Sequence, residues 1–360
     1  ISLLLLIISF SSSTDGSGGA RLPAHAEILR EIVSVRLPHR ERWRPIGSPE
    51  RGENGRVVAP STLPRLLRKR KDLGTFIHII PSWFKTSFSK SCLCLTSYML
   101  GFDASVLLDD TATATGEKNA RPNRNSLRGF EVIDAIKSRL ESACPGVVSC
   151  ADILTIAARD AVSLVKGPSW DVKLGRHDSL SASTSAANSA LPSPFESLAA
   201  IVAKFAAVGL SEQDVVSLSG GHSIGRAQCA LVASRLYNFN GTGLPDPTLS
   251  ASYLEVLRAL CGPPATAPTS TVLANLDVST PDLFDNKYYL NLKVSNGLLG
   301  SDQVLLSTPG AGTIGLVNAF AGNQRAFFAA FARSMVKMGD ISPLLAPNGQ
   351  IRTNCHFVNA

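Results

Sequence analysis

After residue 126, apolar residues recur at intervals of three and four, and this helical spacing limits what the chain can fold into. Convincing alternating strands are few, and no internal repeat is visible. The spacing, with Ser211 and Asp214 as a capping pair, predicts helices at 126–141, 150–165, 198–208, 211–218, 222–237, 253–261, 286–294 and 326–338. We therefore expect the main body, about residues 101–358, to be mostly α.

The first hundred residues differ from this body. Residues 1–10 form an apolar run that resembles the core of a secretory signal, although no initiator Met or basic start precedes it, and it is too short to span a bilayer. Residues 11–75 are rich in Ser, Gly, Pro and Arg without a sustained apolar period, so we expect them to be poorly ordered. No later segment approaches the length of a membrane span, and we expect no membrane partner.

The formal net charge of +7 is concentrated near the N-terminus. Residues 21–71 contain thirteen Lys or Arg and five Asp or Glu, whereas the remainder carries a net charge of −1. A basic arm can bind nucleic acid, but this one lacks interleaved aromatic residues. We therefore expect no nucleic-acid partner.

Seven cysteines are spread along the chain, and only Cys92 and Cys94 are close together. This spacing does not form the paired knuckle of a zinc site. It is typical of a few long-range disulfides formed in an oxidising compartment, although buried free thiols are an alternative. Because the count is odd, at least one thiol is unpaired or linked to another molecule.

A glycine pair, Gly220 and Gly221, precedes His222 where a loop is expected to become a helix. Glycines allow close approach of the backbone to a bulky ligand, so His222 is a candidate metal or haem ligand. The alternative is a histidine that caps a helix or fills the core. Asp302 is a candidate partner for the second ring nitrogen of His222, because ligating histidines usually donate to a carboxylate or carbonyl. On spacing alone Asp302 could equally cap a helix.

Oxygen-bearing side chains cluster at Asp277, Thr280 and Asp285, around a proline. Ca²⁺ takes six to eight oxygen ligands, and such a loop can supply several. The spacing is not that of an EF-hand, and a solvated turn with Asp285 as helix cap is the alternative. Residues 101–105 form a similar, shorter cluster.

Eleven stretches of sequence follow the order and spacing of a known family: 103–110, 116–119, 125–134, 144–154, 167–170, 174–176, 191–194, 217–229, 284–289, 301–303 and 349–355. Over about residues 101–359 the chain resembles the secretory plant haem peroxidases, the class III or guaiacol type. The resemblance implies a two-lobed helical fold with a proximal lobe at about 195–340, haem b and up to two calcium ions. It also implies hydrogen peroxide and small phenolic reductants as substrates, a monomer, and secretion to the cell wall, extracellular space or vacuole.

The resemblance assigns roles on the side of the haem that holds the iron. His222 would be the axial ligand, and Asp302 would make its imidazole more anionic. Pro192 would lie in the segment lining the entrance for aromatic donors. A proximal calcium ion would be bound by Ser223 (where the family usually has Thr), Asp277, Thr280, the Leu283 carbonyl and Asp285.

Other residues match the family outside this region. Asp152 and Arg176 match a buried ion pair, and Glu117 and Asn123 match residues of the distal network. The remaining matches are the disulfides Cys150–Cys355 and Cys229–Cys261 and a partial distal calcium site of Asp103, Ser105 and the Gly101 carbonyl. Cys144 has lost its usual partner, for which Cys92 or Cys94 could substitute.

The chain departs from the family just before Gly101, where members carry Arg-x-x-Phe-His-Asp-Cys. The position of the distal His is occupied by Leu95, and that of the Arg by Ser91. Thr96, Ser97 and Phe102 replace the calcium-binding Asp and the two cysteines of a disulfide, and the preceding residues have no match. His78 lies seventeen residues too early, in an apolar context, so we do not expect it to replace the missing base.

We therefore expect a haem-dependent peroxidase of phenolic donors that is impaired by the loss of the distal His and Arg. The alternative is a non-catalytic relative that binds haem or calcium, or a truncated product that does not fold stably.

Overall fold

The computed structural model describes residues 102–112, 115–263 and 272–360, and within them helices dominate. Two short strands, β1 (Arg226–Gln228) and β2 (Leu273–Asn275), pair antiparallel with Ala227 opposite Ala274. The eleven helices of these ranges are α1 (Phe130–Ala143), α2 (Cys150–Leu164), α3 (Thr184–Ala190), α4 (Leu198–Ala206), α5 (Glu212–Ser219), α6 (Ala233–Tyr237), α7 (Ala251–Cys261), α8 (Lys287–Lys293), α9 (Gly300–Ser307), α10 (Thr313–Gly322) and α11 (Gln324–Gly339). The mostly α prediction is confirmed; the predictions for residues 1–101 fall outside the described residues.

Serine caps fix the starts of several helices. The side chains of Ser149 and Ser197 accept hydrogen bonds from backbone N–H groups in the first turns of α2 and α4. Ser211 and Asp214 form the predicted capping box at the start of α5. Each cap satisfies an N–H group that a helix start leaves without an intrahelical partner. Seven of the eight predicted helices are present, with ends that differ by a few residues.

The predicted helix at 222–237 is wrong. Gly225 adopts φ 96°, and the chain then runs into β1 instead of continuing as a helix. The backbone N–H of Leu276, the residue after β2, donates to the Gly225 carbonyl at 3.0 Å. This hydrogen bond extends the pairing of β1 with β2 to Gly225. Only Ala233–Tyr237 is α-helical in this interval. Pairing with a distant strand has overridden a local helical pattern.

The sequence pattern did not predict α3, α9 and α10. Helix α3 has no large apolar side chain, and the apolar side chains of α9 and α10 are not concentrated on one helix face, so the spacing does not mark these helices. Burial of Val317 and Phe320 holds α10 in place, and Asp302 lies in the first turn of α9. Most helical stability in proteins comes from such packing and not from intrinsic propensity.

The main core gathers around a cluster of aromatic side chains. The ring of Phe284 lies 4.8 Å from that of Phe331 and 5.6 Å from that of Phe327, and all three are fully buried. Tyr289 of α8 packs against Phe327 at 5.0 Å. Aromatic pairs at these separations add favourable contacts beyond their buried area. The cluster joins α8 and α11 to α5, which leads into His222.

Both predicted disulfides are present. Cys150–Cys355 ties the start of α2 to the C-terminal segment, and Cys229–Cys261 ties the segment after β1 to the end of α7. Cys144 is half-buried and has no disulfide partner among the described residues. Its proposed partners Cys92 and Cys94 lie outside them.

The longest helix of the described residues, α11, has 16 residues. None of the helices described combines the length and apolar character needed to cross a membrane.

Candidate functional site

His222 lies in a short 3-10 turn, Gly220–Ser223, that continues from the end of α5. The prediction that it would open a helix is therefore wrong. A Cβ atom on Gly220 would lie 2.3 Å from the Tyr289 hydroxyl and 2.4 Å from the Phe327 ring. Glycine is thus required at Gly220 for packing against α8 and α11, a reason that differs from the ligand approach expected from the sequence.

The His222 imidazole and the Asp302 carboxylate form a buried pair. The distance from Nδ1 of His222 to Oδ1 of Asp302 is 2.7 Å, and the side chains are 0% and 1% exposed. The second oxygen, Oδ2, accepts the Leu299 N–H at 3.0 Å. The sequence left two roles open for Asp302: hydrogen-bond partner of His222, or cap of a helix. Asp302 fills both roles, because Oδ1 bonds His222 and Oδ2 caps the start of α9.

Burial opposes the ionisation of Asp302. The charge and hydrogen bond of His222, with two further hydrogen bonds to the carboxylate, nevertheless lower the pKa of Asp302 below its ordinary value. The carboxylate is therefore ionised at neutral pH and accepts the Nδ1–H of His222. When the ring is neutral with its hydrogen on Nδ1, the lone pair is on Nε2, the atom that a metal would take.

Sequence reasoning missed Tyr288. Its hydroxyl donates to Oδ1 of Asp302 at 3.1 Å, and the Tyr288 and His222 rings meet edge to face at 6.2 Å. Burial, with the charge of Asp302, raises the pKa of Tyr288 well above its usual range, so the hydroxyl stays protonated. The predicted helix at 286–294 contains Tyr288, but nothing in that pattern points to Asp302.

The five residues predicted for the proximal calcium site are brought together. The Ser223 hydroxyl donates to the Asp285 carbonyl at 2.9 Å, and the Leu283 carbonyl oxygen lies 3.2 Å from the same Oγ. The Thr280 hydroxyl faces the Asp285 carboxylate at 3.0 Å and Oδ2 of Asp277 at 3.4 Å. Because a hydroxyl carries one hydrogen, carboxylate oxygens around the Thr280 side chain outnumber hydroxyl hydrogens.

Asp277 and Asp285 also repel each other. Burial of Asp277, followed by the charge of Asp285, raises the pKa of Asp277 above its ordinary value, although backbone hydrogen bonds from Thr280 and Ser279 oppose the shift. Asn291 of α8, which sequence reasoning missed, donates to Oδ1 of Asp277 at 2.8 Å. A cation bound between the two carboxylates would offset their repulsion.

The first described segment holds part of the second predicted oxygen cluster. Oδ1 of Asp103 accepts the Ser105 N–H at 3.0 Å, which makes a local turn, while Gly101 lies outside the described residues. Glu117 and Asn123 are buried, and the Asn123 amide donates to the Glu117 carbonyl at 2.9 Å. The two residues predicted for the distal network, Glu117 and Asn123, are therefore in direct hydrogen-bond contact.

Phe102 is 3% exposed, and the Arg176 guanidinium lies 5.1 Å from its ring centroid. Arg176 also forms the expected buried ion pair with Asp152, at 3.3 Å. Burial raises the pKa of Asp152, although hydrogen bonds from Gly175 and the Arg176 charge oppose the shift. The structure does not describe the residues that stand at the distal positions of the family, which are Ser91, Leu95, Thr96 and Ser97. His78 also lies outside the described residues.

Pro192 follows α3 and is itself buried. Two residues on, the Pro194 carbonyl accepts the Ser301 N–H at 3.1 Å, so this segment rests on the first turn of α9. Phe195 is 62% exposed. The segment is therefore adjacent to the helix that carries Asp302.

Known proteins resemble this chain over most of its length. A profile of the peroxidase family matches residues 64–323. This match begins upstream of Gly101 and stops before residue 359, so the domain boundaries drawn from the sequence stay a prediction. Peroxidase 54 of Arabidopsis thaliana is 56% identical over 262 residues, which cover 73% of this chain and 72% of that protein.

Two other relatives extend the comparison. Peroxidase 15 of Ipomoea batatas is 53% identical over 260 residues, 72% of this chain and 79% of that protein. The lignin-forming anionic peroxidase of Nicotiana tabacum is 47% identical over 292 residues, 81% of this chain and 86% of that protein. The fold, the disulfides and these similarities agree: the chain belongs to the peroxidase family of oxidoreductases, in its secretory plant, class III branch.

Proposed function

We propose that this protein binds haem b through His222 and belongs to the peroxidases that use hydrogen peroxide to oxidise small phenolic donors. We further propose that the chain turns over peroxide poorly. The observation that carries the proposal is the buried pair of His222 and Asp302, with 2.7 Å between Nδ1 and Oδ1. A carboxylate on Nδ1 makes an imidazole a stronger electron donor at Nε2.

The surroundings of His222 favour haem over a metal ion held by side chains alone. In the ranges that the structure describes, no three His, Cys, Asp or Glu side chains are arranged to hold a metal ion. A single buried imidazole fits a metal whose other ligands come from a macrocycle. When bound, the haem would supply the iron that exchanges electrons with peroxide. The protein supplies the ligand and the carboxylate that orients it.

Poor turnover follows from the distal positions. Leu95 and Ser91 can neither accept a proton from peroxide nor place a positive charge beside it, and the sequence has no histidine between His78 and His177. General acid–base catalysis is typically worth about 10²–10⁴-fold in rate. We expect a loss of at least this size relative to a member with both residues.

Calcium is proposed at the loop of Ser223, Asp277, Thr280, Leu283 and Asp285. Two carboxylates with hydroxyl and carbonyl oxygens form the mixed, hard donor set that Ca²⁺ prefers. The surplus of carboxylate oxygens around Thr280 supports this assignment. The segment of Asp103 and Ser105 offers fewer donors and is the weaker of the two candidate sites.

Phenolic donors, secretion to the cell wall, extracellular space or vacuole, and a monomeric state are proposed from the family resemblance. The two long-range disulfides support an oxidising compartment. Sedimentation of the purified chain would test the monomer.

A hemin titration tests the proposal. We expect wild-type protein to develop a Soret band at one equivalent of hemin, and His222→Ala to lose it. His177→Ala is the matched control, because the ring of His177 bonds the carbonyl of Asn348, away from Asp302. Equal haem binding by wild type and His222→Ala would refute His222 as the ligand.

The non-catalytic alternative is favoured by the same distal substitutions. Guaiacol oxidation by the haem-loaded chain, with bovine serum albumin plus hemin as background, separates the two functions. Turnover above background that is lost in His222→Ala supports an impaired peroxidase. A Soret band without such turnover supports a haem- or calcium-binding relative, and failure to bind either would support an unstable product.

A further inference from the structure

One oxygen of Asp302 accepts two side-chain hydrogen bonds. Oδ1 lies 2.7 Å from Nδ1 of His222 and 3.1 Å from the hydroxyl of Tyr288. The other oxygen, Oδ2, accepts the Leu299 N–H at 3.0 Å. The two side-chain donors therefore compete for the electron density of the same atom.

We propose that Tyr288 is a positioning residue that limits how strongly Asp302 attracts the Nδ1 proton of His222. A carboxylate that accepts more hydrogen bonds is a weaker base, because those bonds stabilise its charged form. A weaker base draws less on the Nδ1–H, so the imidazole becomes less anionic and donates less charge at Nε2. Tyr288 thus acts on His222 through Asp302.

The fold holds the Tyr288 hydroxyl in place. Tyr288 is 1% exposed, and its ring meets that of Tyr289 edge to face at 5.0 Å. It lies in the first turn of α8, directly after Lys287, whose backbone N–H donates to Oδ1 of Asp285 at 2.7 Å. The loop of Asp285 thereby anchors the turn that presents Tyr288 to Asp302.

The adjacent tyrosine is a matched control. Tyr289 is in the same helix and is equally buried, but its hydroxyl donates to the carbonyl of Val216 at 2.9 Å. Tyr288→Phe and Tyr289→Phe each remove one buried hydroxyl and keep the ring. Only Tyr288→Phe removes a hydrogen-bond donor from Asp302. An effect seen in both variants is therefore a general effect of losing a buried hydroxyl, whereas an effect seen only in Tyr288→Phe acts through Asp302.

The first test observes the hydrogen bond itself, in the full chain without haem. In ¹⁵N-histidine-labelled protein, the Nδ1 proton of His222 is assigned as the low-field resonance that disappears in His222→Gln. We expect this proton to move further downfield in Tyr288→Phe, because Asp302 then attracts it more strongly, and to keep its position in Tyr289→Phe. An unchanged position, or an equal shift in both variants, would overturn the proposal.

A second measurement covers the case in which Tyr288→Phe does not fold. Growth with 3-fluorotyrosine makes every tyrosine hydroxyl a stronger donor without a change of sequence. We expect an upfield shift of the His222 Nδ1 proton in fluorinated wild type and in fluorinated Tyr289→Phe. A downfield shift, or none, contradicts the competition between Tyr288 and His222.

The consequence for haem rests on the proposed function and has its own measurement. In hemin-loaded protein, we expect the ferric–ferrous midpoint potential of Tyr288→Phe to be lower than that of wild type and of Tyr289→Phe. A proton shift without haem uptake by wild type would refute the proposed function and leave the role of Tyr288 supported. Haem uptake with equal potentials and an unmoved proton would refute only the role of Tyr288.

Discussion

The side chain of Ser223 and the backbone of Asp285 exchange two hydrogen bonds. Oγ of Ser223 donates to the Asp285 carbonyl oxygen at 2.9 Å and accepts the Asp285 N–H, also at 2.9 Å. Ser223 is fully buried and follows His222 directly. The hydroxyl therefore connects the turn of the proposed haem ligand to the proposed calcium loop.

Replacement of this hydroxyl should be costly. Ser223→Ala leaves a buried N–H and a buried carbonyl of Asp285 without their partner, and an unsatisfied buried polar group costs about 1–3 kcal/mol. We expect the free energy of unfolding in urea to fall by an amount in this range, and the calcium-induced rise in Tm to shrink. Ser223→Thr keeps the hydroxyl and is the control; an equal loss in both variants would mean that volume, and not the hydrogen bonds, matters.

Asp214 should make stability depend on pH below 4. Burial opposes its ionisation, but hydrogen bonds from Lys337, Ser211 and Ser334 outweigh it and lower the pKa of Asp214 to about 2. A depressed folded-state pKa gives stability that is present above the ordinary value of 3.8 and is lost as the pH falls towards 2. Because Lys337 is 55% exposed, we expect a contribution of about 1–2 kcal/mol.

Urea unfolding between pH 5 and pH 2 tests this dependence. Asp214→Asn should be less stable than wild type at pH 5, and the two curves should converge towards pH 2. Asp282→Asn is the control, because the Asp282 side chain is 57% exposed in its pair with Arg226. Parallel curves for wild type and Asp214→Asn would contradict the assignment.

The two disulfides should differ in their contribution. Their cysteines are separated by 205 and 32 residues, and a cross-link that closes a longer loop removes more entropy from the unfolded chain. Loss of Cys150–Cys355 should therefore cost roughly 1.5 kcal/mol more than loss of Cys229–Cys261. Guanidinium unfolding of the two double Cys→Ala variants measures the difference, with Cys144→Ala as control. A larger cost for Cys229–Cys261 would contradict the loop-entropy account.

Arg235 should be required to hold the segment in front of α9. Its guanidinium pairs with Asp246 at 2.7 Å and donates to the carbonyls of Gly297 and Leu298 at 2.6 Å each. Both side chains of the pair are at most 3% exposed, and removal of one partner from a buried pair costs about 3–5 kcal/mol. We expect Arg235→Met to lose stability of this order in thermal and urea unfolding.

The double variant Arg235→Met/Asp246→Leu serves as the comparison for Arg235. Replacement of both charges by apolar groups removes the unpaired carboxylate, so the double variant should recover part of the loss. Recovery will be incomplete, because the carbonyls of Gly297 and Leu298 stay without donors. If the single and double variants lose the same stability, the pair itself contributes little and the carbonyl contacts account for the effect.

Local sequence determined most of the helices. Apolar spacing located seven of them, and Ser211 with Asp214 predicted a capping box that the structure contains. The family resemblance also predicted that His222 lies beside Asp302 and that the oxygen-bearing residues of the 277–285 loop lie together. These predictions came from the matching motifs, because a motif keeps the residues that a site needs. The assignment of ligand roles to these residues stays a proposal.

Tertiary structure alone decided the rest. The break at Gly225 depends on a strand about fifty residues later in the chain, so the helical pattern after His222 was misleading. Gly220 is required by the rings of Tyr289 and Phe327, and Tyr288 reaches Asp302 only because α8 and α9 pack together. A sequence pattern reports the preferences of neighbouring residues, whereas these contacts arise from the packing of elements far apart in the chain. That packing decides which donors share the carboxylate of Asp302.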